Sequence, residues 1–208
     1  MNNRLSATLH LGAIILAAGE AKRFGSPKQL LVYKSKTLVA RAVEACLAAG
    51  AQQVVVVTGA HRQELENALQ AHFSDPRVTL SHNERWAEGM HTSITCGMHA
   101  LMTRQQNLQS VLITLVDQPL VDASFLRKLV EEQQGADAAA LSYPSGAGVP
   151  ACFDVVHFQK LLNLTTSGGG AKGILRDPRL NIRLLDAPER RLDIDTFEDW
   201  NDFTRGQS

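Results

Sequence analysis

The sequence predicts an α/β fold, one sheet with helices on both faces, and three observations carry that prediction. Short β-branched runs alternate with amphipathic stretches. One of them, Val54 to Val57, is four consecutive valines, apolar on both faces as a central strand must be. No internal repeat, low-complexity tract or shift in composition interrupts the 208 residues, so the whole of 1–208 reads as a single domain.

Taken in order, the strand candidates are Gly12–Ala17, Gln53–Thr58, Val78–Ser81, Ser110–Val116, Ala138–Ser142 and Ile182–Leu185. Each is short, rich in Val, Ile or Leu, and bounded by turn formers. Between them, Thr37–Ala49 sets Val39, Ala42, Val43 and Cys46 on one helical face and stops at Gly50. Arg62–His72 repeats at Leu65, Ala68 and Leu69, and Ala123–Gln133 carries Phe125, Leu126, Leu129 and Val130. A helix opens near Ser93, and Asp154–Leu164 and Thr196–Thr204 complete the set.

Bulk composition excludes several classes. Lys and Arg number 21 and Asp and Glu 21, so nothing global points to nucleic acid or a membrane surface. Three cysteines lie about fifty residues apart without CxxC spacing, which argues against a disulfide framework or zinc site and suits a reducing cytoplasm. The longest apolar run, Leu11 to Ala18, is too short to span a bilayer and reads as a buried first strand rather than a signal peptide.

In open α/β sheets ligands sit beyond the carboxyl ends of the strands. That rule directs attention to Ala18–Lys28, to Thr58 and Gly59, to Ser81–Gly89, to Asp117–Pro119 and to Tyr143–Pro150. The first segment leaves a hydrophobic strand into small residues and then brings Lys22, Arg23 and Lys28 within seven positions. Small side chains let backbone N–H groups approach an anion that the cations neutralise. Yet Gly25 is followed by Ser26-Pro27, which fails the Walker A template, and Gly19 by Glu20-Ala21, which fails the Rossmann fingerprint. On residues alone, a solvated turn stays open as the alternative.

Two acidic positions complement this loop. Asp117 ends the hydrophobic late strand, with Pro119 blocking its extension, where a carboxylate can hold Mg²⁺ against phosphate oxygens. Asp122 and Ser124 stand nearer the next helix start and leave Asp117 free of capping duty. Asp193 and Asp195 alternate about Ile194, just before a Thr196/Asp199 capping box.

The string Leu16-Ala-Ala-Gly-x-x-x-Arg23-Phe-Gly25-x-x-Lys28 resembles the signature of the MobA-like nucleotidyltransferases, and within them the molybdenum cofactor cytidylyltransferases. The resemblance runs from about Ala13 to Trp200 and implies a single Rossmann-like nucleotidyltransferase domain with a mostly parallel sheet of about seven strands. It also implies that Leu16, Ala17, Ala18 and Gly19 wrap a triphosphate neutralised by Arg23 and Lys28. Asp117 in Asp-Gln-Pro and Asp195 in Asp-Ile-Asp-Thr would then be the Mg²⁺ carboxylates, with Asp193 the fallback for the second. Arg23, Lys28 and Asp117 form the expected catalytic set. Asn83, Gly89 and Ser93 resemble the family's Asn-x-x-x-x-x-Gly-Met-x-x-Ser segment and, with Thr58 and Gly59, are expected to line the nucleotide pocket. Trp86 either stacks on a ring or packs on the surface.

Gln118, Pro119, Gly148 and Pro150 are the implied acceptor contacts. Downstream the family's acidic residue is replaced by Gly168 and its Arg by Lys172, which leaves the acceptor side less well matched. The implied reaction transfers CMP from CTP to molybdenum-loaded molybdopterin with release of pyrophosphate. A molybdenum hydroxylase client is the implied protein partner. Ala18, where the guanylyl branch has a second glycine, is a steric reason for CTP. Transfer to another phosphorylated acceptor, such as a sugar or polyol phosphate, and a non-catalytic nucleotide-binding accessory are the alternatives.

Overall fold

A computed structural model describes residues 10–165 and 170–206. Seven strands form the main sheet: β1 (Leu11–Ala17), β4 (Gln53–Thr58), β5 (Val78–His82), β6 (Ser110–Leu115), β7 (Ala138–Tyr143), β8 (Gly146–Asp154) and β9 (Ile182–Leu185). Their spatial order is β5-β4-β1-β6-β8-β7-β9, and only β8 runs antiparallel to its neighbours. A two-residue ribbon, β2 (Val32–Tyr33) with β3 (Lys36–Thr37), precedes the first helix.

Alternation along β1 divides the core. Ala13, Ile15 and Ala17 face the layer built with α1 (Leu38–Ala48), α2 (Arg62–Gln70), α4 (Ala123–Gln133) and α7 (Phe197–Arg205). Ile14, Leu16 and Ala18 face the layer of α3 (Met90–Arg104), α5 (Phe158–Leu162) and α6 (Ala171–Leu175). The α3 layer packs tightly, because a Cβ on Gly97 would lie 2.6 Å from Ile14 Cγ2. Local signals fix the helix starts. Thr37 caps α1 by accepting from the Ala40 N–H, Asp122 caps α4 through Phe125, and Thr196 with Asp199 closes a capping box on α7.

The chain runs from β1 outward to β4 and β5, then crosses by α3 to β6 on the other side of β1. That reversal opens a crevice beyond the carboxyl ends of β1 and β6. Asp117 and the loop after β1 therefore meet at one place.

Two sequence expectations are corrected. The Tyr143–Pro150 stretch, expected as a loop beside an acceptor, is the last residue of β7, the turn and the first half of the nine-residue strand β8. The helix expected over Asp154–Leu164 begins as a 3-10 turn, Val155–His157, capped by Asp154, and only Phe158–Leu162 is α-helical. Of the three-glycine run, Gly168 and Gly169 lie outside the described residues.

Candidate active site

The loop after β1 is fastened from inside. Gln29, buried, donates from Nε2 to the carbonyls of Ala17 (3.0 Å) and Gly19 (2.8 Å). Ala21 turns the chain at φ 54° and accepts from the N–H of Phe24 at 2.8 Å. Pro27 then precedes a short 3-10 turn, Lys28–Leu30, which aims Lys28 back across the crevice. No sequence signal marked Gln29; its role needs the folded position of two carbonyls.

Lys28 is the centre of the site. Its Nζ donates to Asp117 Oδ2 at 2.6 Å, to the Ile194 carbonyl at 2.9 Å and to Asp195 Oδ1 at 3.1 Å. The Lys28 and Asp117 side chains are 13% and 19% exposed, whereas Asp195 is 50% exposed. Burial alone lowers the pKa of Lys28, but the charge and hydrogen bond of Asp117, helped by Asp195, outweigh it and hold the ammonium above its ordinary range. Arg23 reaches Asp195 Oδ2 at 3.8 Å with its own side chain 75% exposed, an open cation at the rim. Lys22 pairs with Glu20 and is more exposed still.

Asp195 is held in place by backbone. The Ile194 N–H donates to the Asp117 carbonyl at 2.9 Å, Ile194 is buried, and the Phe197 ring meets Phe24 edge-on at 5.8 Å between centroids. Phe197 thus braces the loop after β1 against the start of α7. Asp193 points the other way and accepts from Gln118 Nε2 at 2.8 Å. Burial raises its pKa, as do the neighbouring Asp117 and Asp195 charges, against the lowering effect of the Gln118 bond. Gln118 Nε2 also donates to Tyr143 Oη, which donates to the Val149 carbonyl. Burial pushes the Tyr143 phenol up to about 12, so it stays protonated and a donor.

A cleft of about 460 Å³ connects these parts. Of the residues singled out in the sequence, Leu16, Ala17, Ala18, Gly19, Arg23, Lys28, Ser93, Asp117 and Asp195 line it. Gln29, Trp86 and Met90 join them. Thr58 and Gly59 do not line it. Thr58 is buried in β4, and Gly59 supports the wall from behind, since a Cβ there would fall on the Ala18 carbonyl and within 2.7 Å of Trp86 Cγ. Asn83 also acts from behind, donating from Nδ2 to Thr92 Oγ1 (2.9 Å) and Ser93 Oγ (3.0 Å), while Gly89 starts α3 at φ 122°.

The expected acceptor residues are dispersed. Gly148 is buried, with the Tyr143 ring where its side chain would be, Pro150 is buried inside β8, and Pro119 lines a small crevice toward Leu38 and Leu126. Of the four, Gln118 alone is tied by side-chain bonds to an acidic neighbour of the cleft.

The residues fit a divalent cation. Asp117 Oδ1 is buried and has no hydrogen-bond partner among the described residues, and Asp195 faces the same space. Two carboxylates with the remaining positions left to water and phosphate is a magnesium-type donor set. Among the described residues no group of three or more His, Cys, Asp or Glu is placed to hold a metal by itself.

Comparison with known proteins agrees with this geometry. The profile of the MobA-like NTP transferase domain matches residues 13–183. Nicotine blue oxidoreductase of Paenarthrobacter nicotinovorans is 29% identical over 195 residues, 89% of this chain and 92% of that protein. The bifunctional protein GlmU of Caldanaerobacter subterraneus is 33% identical over 151 residues, 66% of this chain but 30% of that longer protein. Among solved structures, a nucleotidyl transferase from Methanothermobacter superposes with a TM-score of 0.79 at 22% identity, covering 95% of this chain and 97% of that one. Rv0371c of Mycobacterium tuberculosis in complex with manganese gives 0.70 at 24%, covering 94% and 98%. Molybdopterin-guanine dinucleotide biosynthesis protein A of Archaeoglobus fulgidus gives 0.66 at 16%, covering 95% and 100%. At these identities the structures establish the shared fold. With its profile match over most of the length, the chain belongs to the MobA-like NTP transferase family.

Proposed function

We propose that this protein is a cytidylyltransferase that transfers CMP from CTP to the phosphate of molybdenum-loaded molybdopterin, in the cytoplasm, with Mg²⁺. The observation that supports it most is the convergence of Lys28, Asp117 and Asp195 beside an open loop that carries Arg23. In the reaction an acceptor phosphate oxygen attacks the α-phosphorus of the NTP. The bond from that phosphorus to the oxygen bridging to the β-phosphorus breaks, and pyrophosphate leaves. The nucleophile is already anionic at neutral pH, so the chain need supply no general base.

Lys28 and Arg23 neutralise the triphosphate, and the Leu16–Gly19 backbone, pinned by Gln29, sets its path. Asp117 and Asp195 would hold the cation, whose chemistry is neutralisation of phosphate charge and stabilisation of the leaving pyrophosphate. Gln118, held by Tyr143 and Asp193 next to Asp117, is the residue we assign to the acceptor side. Ala18 belongs to the α3 face and lines the cleft, so its methyl narrows the space for a base and favours CTP.

Pyrophosphate release with each NTP and Mg²⁺, with and without molybdopterin, tests the reading. Release that requires CTP and molybdopterin together supports it; release with a sugar or polyol phosphate instead reassigns the acceptor. The Asp117→Ala variant is expected to lose turnover by about a thousandfold or more while remaining folded, and full activity in it would overturn the metal assignment. The likeness to nicotine blue oxidoreductase over 89% of the chain favours a second, redox use of the cleft. NADH or NADPH consumption without pyrophosphate release separates the two.

A further inference from the structure

The small crevice under the carboxyl end of β6, between α1 and α4, has about 10 Å³ of free space, room for one water molecule. Most of its wall is apolar, from Leu38 and Ala45 on α1, Val116 just after β6, and Val121 and Leu126. Arg41, Thr114 and Gln118 line it too. Each carries a buried polar atom, Arg41 Nε, Thr114 Oγ1 and Gln118 Oε1, with no hydrogen-bond partner among the described residues. Buried donors and acceptors are normally paired, by protein or by ordered water, so three unpaired atoms around one crevice call for a common partner.

The three side chains are each held by their own surroundings. Thr114 shares the face of β6 that Leu112 gives to the α1 and α4 layer. The Arg41 guanidinium lies over the Tyr33 ring, 4.7 Å from its centroid, and Tyr33 in turn packs on Phe203 at 4.7 Å. The Gln118 amide has one workable orientation. Its Nε2 donates to Asp193 Oδ1 and to Tyr143 Oη, both at 2.8 Å, and the Tyr143 proton goes to the Val149 carbonyl. A carboxylate only accepts and the Tyr143 proton is already placed, so both neighbours need the nitrogen and Oε1 is left for another donor.

The crevice therefore offers one fixed donor, Arg41 Nε–H, one fixed acceptor, Gln118 Oε1, and one hydroxyl that serves as either. The guanidinium charge repels a cation and the Gln118 carbonyl oxygen repels an anion, whereas water accepts from the one and gives to the other. From this arrangement we infer that one internal water molecule occupies the crevice, accepting from Arg41 Nε, donating to Gln118 Oε1 and sharing a hydrogen bond with the Thr114 hydroxyl. Through it α1 and β6 hold the Gln118 amide toward Tyr143 and Asp193, next to Asp117. Arg41 and Thr114 are thus positioning residues that act on Gln118 through the water. That Gln118 serves the acceptor rests on the reading given above; the water site does not.

A high-resolution crystal structure of the wild type is expected to show an ordered water within hydrogen-bond distance of all three atoms. Thr114→Val keeps the shape of the side chain and removes the hydroxyl, while Thr114→Ser keeps the hydroxyl. In isotope-labelled protein followed by NMR, solvent exchange of the Gln118 side-chain amide protons should rise by about tenfold in Thr114→Val and stay within about twofold in Thr114→Ser. A crevice without density for water overturns the inference, as does Arg41 Nε bonded directly to Gln118 Oε1. So does an unchanged Gln118 amide in Thr114→Val, or a rise shared equally by the backbone amides of β6, which marks general loosening. If Thr114→Val does not fold, rotating-frame Overhauser transfer from a long-lived water to the Gln118 amide protons of the wild type decides instead: transfer supports the site and its absence overturns it. None of these readouts needs turnover, so the water site and the nucleotidyl-transfer reading stand or fall separately.

Discussion

Removing the ammonium of Lys28 by Lys28→Met is the most informative perturbation of the site. Lys28 Nζ makes three contacts, to Asp117, Asp195 and the Ile194 carbonyl, within 3.1 Å. Without it, the Asp117 carboxylate has neither oxygen paired, because Oδ1 lacks a partner already, and it faces Asp195 uncompensated. Breaking a buried ion pair costs about 3–5 kcal/mol. Half-exposed Asp195 and the open cleft admit water, so about 2–3 kcal/mol is the discounted expectation. For a domain of this length that lowers Tm by about 4–12 °C.

The same geometry predicts a metal dependence. In the wild type the ammonium holds one oxygen of each carboxylate, Asp117 Oδ2 and Asp195 Oδ1, and repels a second cation, so Mn²⁺ without NTP should raise its Tm by less than that of the variant. In Lys28→Met those oxygens are free and Mn²⁺ should restore stability, by about 2.7 kcal/mol at a hundredfold excess over its Kd. Scanning fluorimetry with and without Mn²⁺, backed by electron paramagnetic resonance of the bound ion, reads both effects. A variant that melts with the wild type, or a wild type that gains as much from Mn²⁺ as the variant, refutes the reasoning.

Three further outcomes are expected. Gly59→Ala drives a methyl into the Ala18 carbonyl and Trp86, and should cost about 1–3 kcal/mol in urea unfolding and weaken NTP binding measured by calorimetry. Ala18→Gly should shift the ratio of kcat/KM for CTP over GTP toward GTP by about tenfold, read in a pyrophosphate-release assay. Asp122→Ala should cost about 1 kcal/mol at neutral pH through loss of the α4 cap. Burial raises the Asp122 pKa, but the Phe125 N–H, the Ser124 hydroxyl and Arg190 more than offset that, and the net direction is down. A depressed folded-state pKa contributes stability that is complete above the unfolded value of about 3.9 and is lost as pH falls through the folded value. The variant and wild type should therefore converge in acid unfolding once pH has fallen below the ordinary carboxylate range and through the depressed folded-state value.

What was legible in the sequence followed strong local signals. The β-branched runs gave β1, β4 and β6, and their carboxyl ends carried the loop and Asp117. The Thr196/Asp199 capping box and Asp122 at the start of α4 appear as read, while Thr37, read as the first helical residue, is the cap of α1. Strand β8 was hidden because Gly146, Ala147, Gly148 and Pro150 lack the composition of a strand, and a proline argues against an interior one. The sheet admits it through an irregularity. Ala140 pairs with Ala151 and Leu141 with Gly148, so Val149 and Pro150 fall at the shifted register where no ladder N–H is required of proline. The helix over Asp154–Leu164 was overestimated because Val155 and Val156 are β-branched and Asp154 caps a tighter turn. At the site, sequence placed Lys28 among phosphate ligands, but its ion pairs with Asp117 and Asp195 join residues distant in the chain, and no spacing rule reaches that far. Gly148 and Pro150, implied beside the acceptor by a motif, are packed into β8.

The backbone bond from the Ile194 N–H to the Asp117 carbonyl, with Lys28 bonded to Asp195 across 167 positions, has a consequence for biogenesis. Strands β1, β4 and β6 can pair while the last quarter of the polypeptide is still being synthesised. Asp195 cannot take its place until the segment before α7 has left the ribosome. A ribosome-bound chain arrested before that point has the loop after β1 and no second carboxylate, and under the proposed function it would hold anions before it could do chemistry with them.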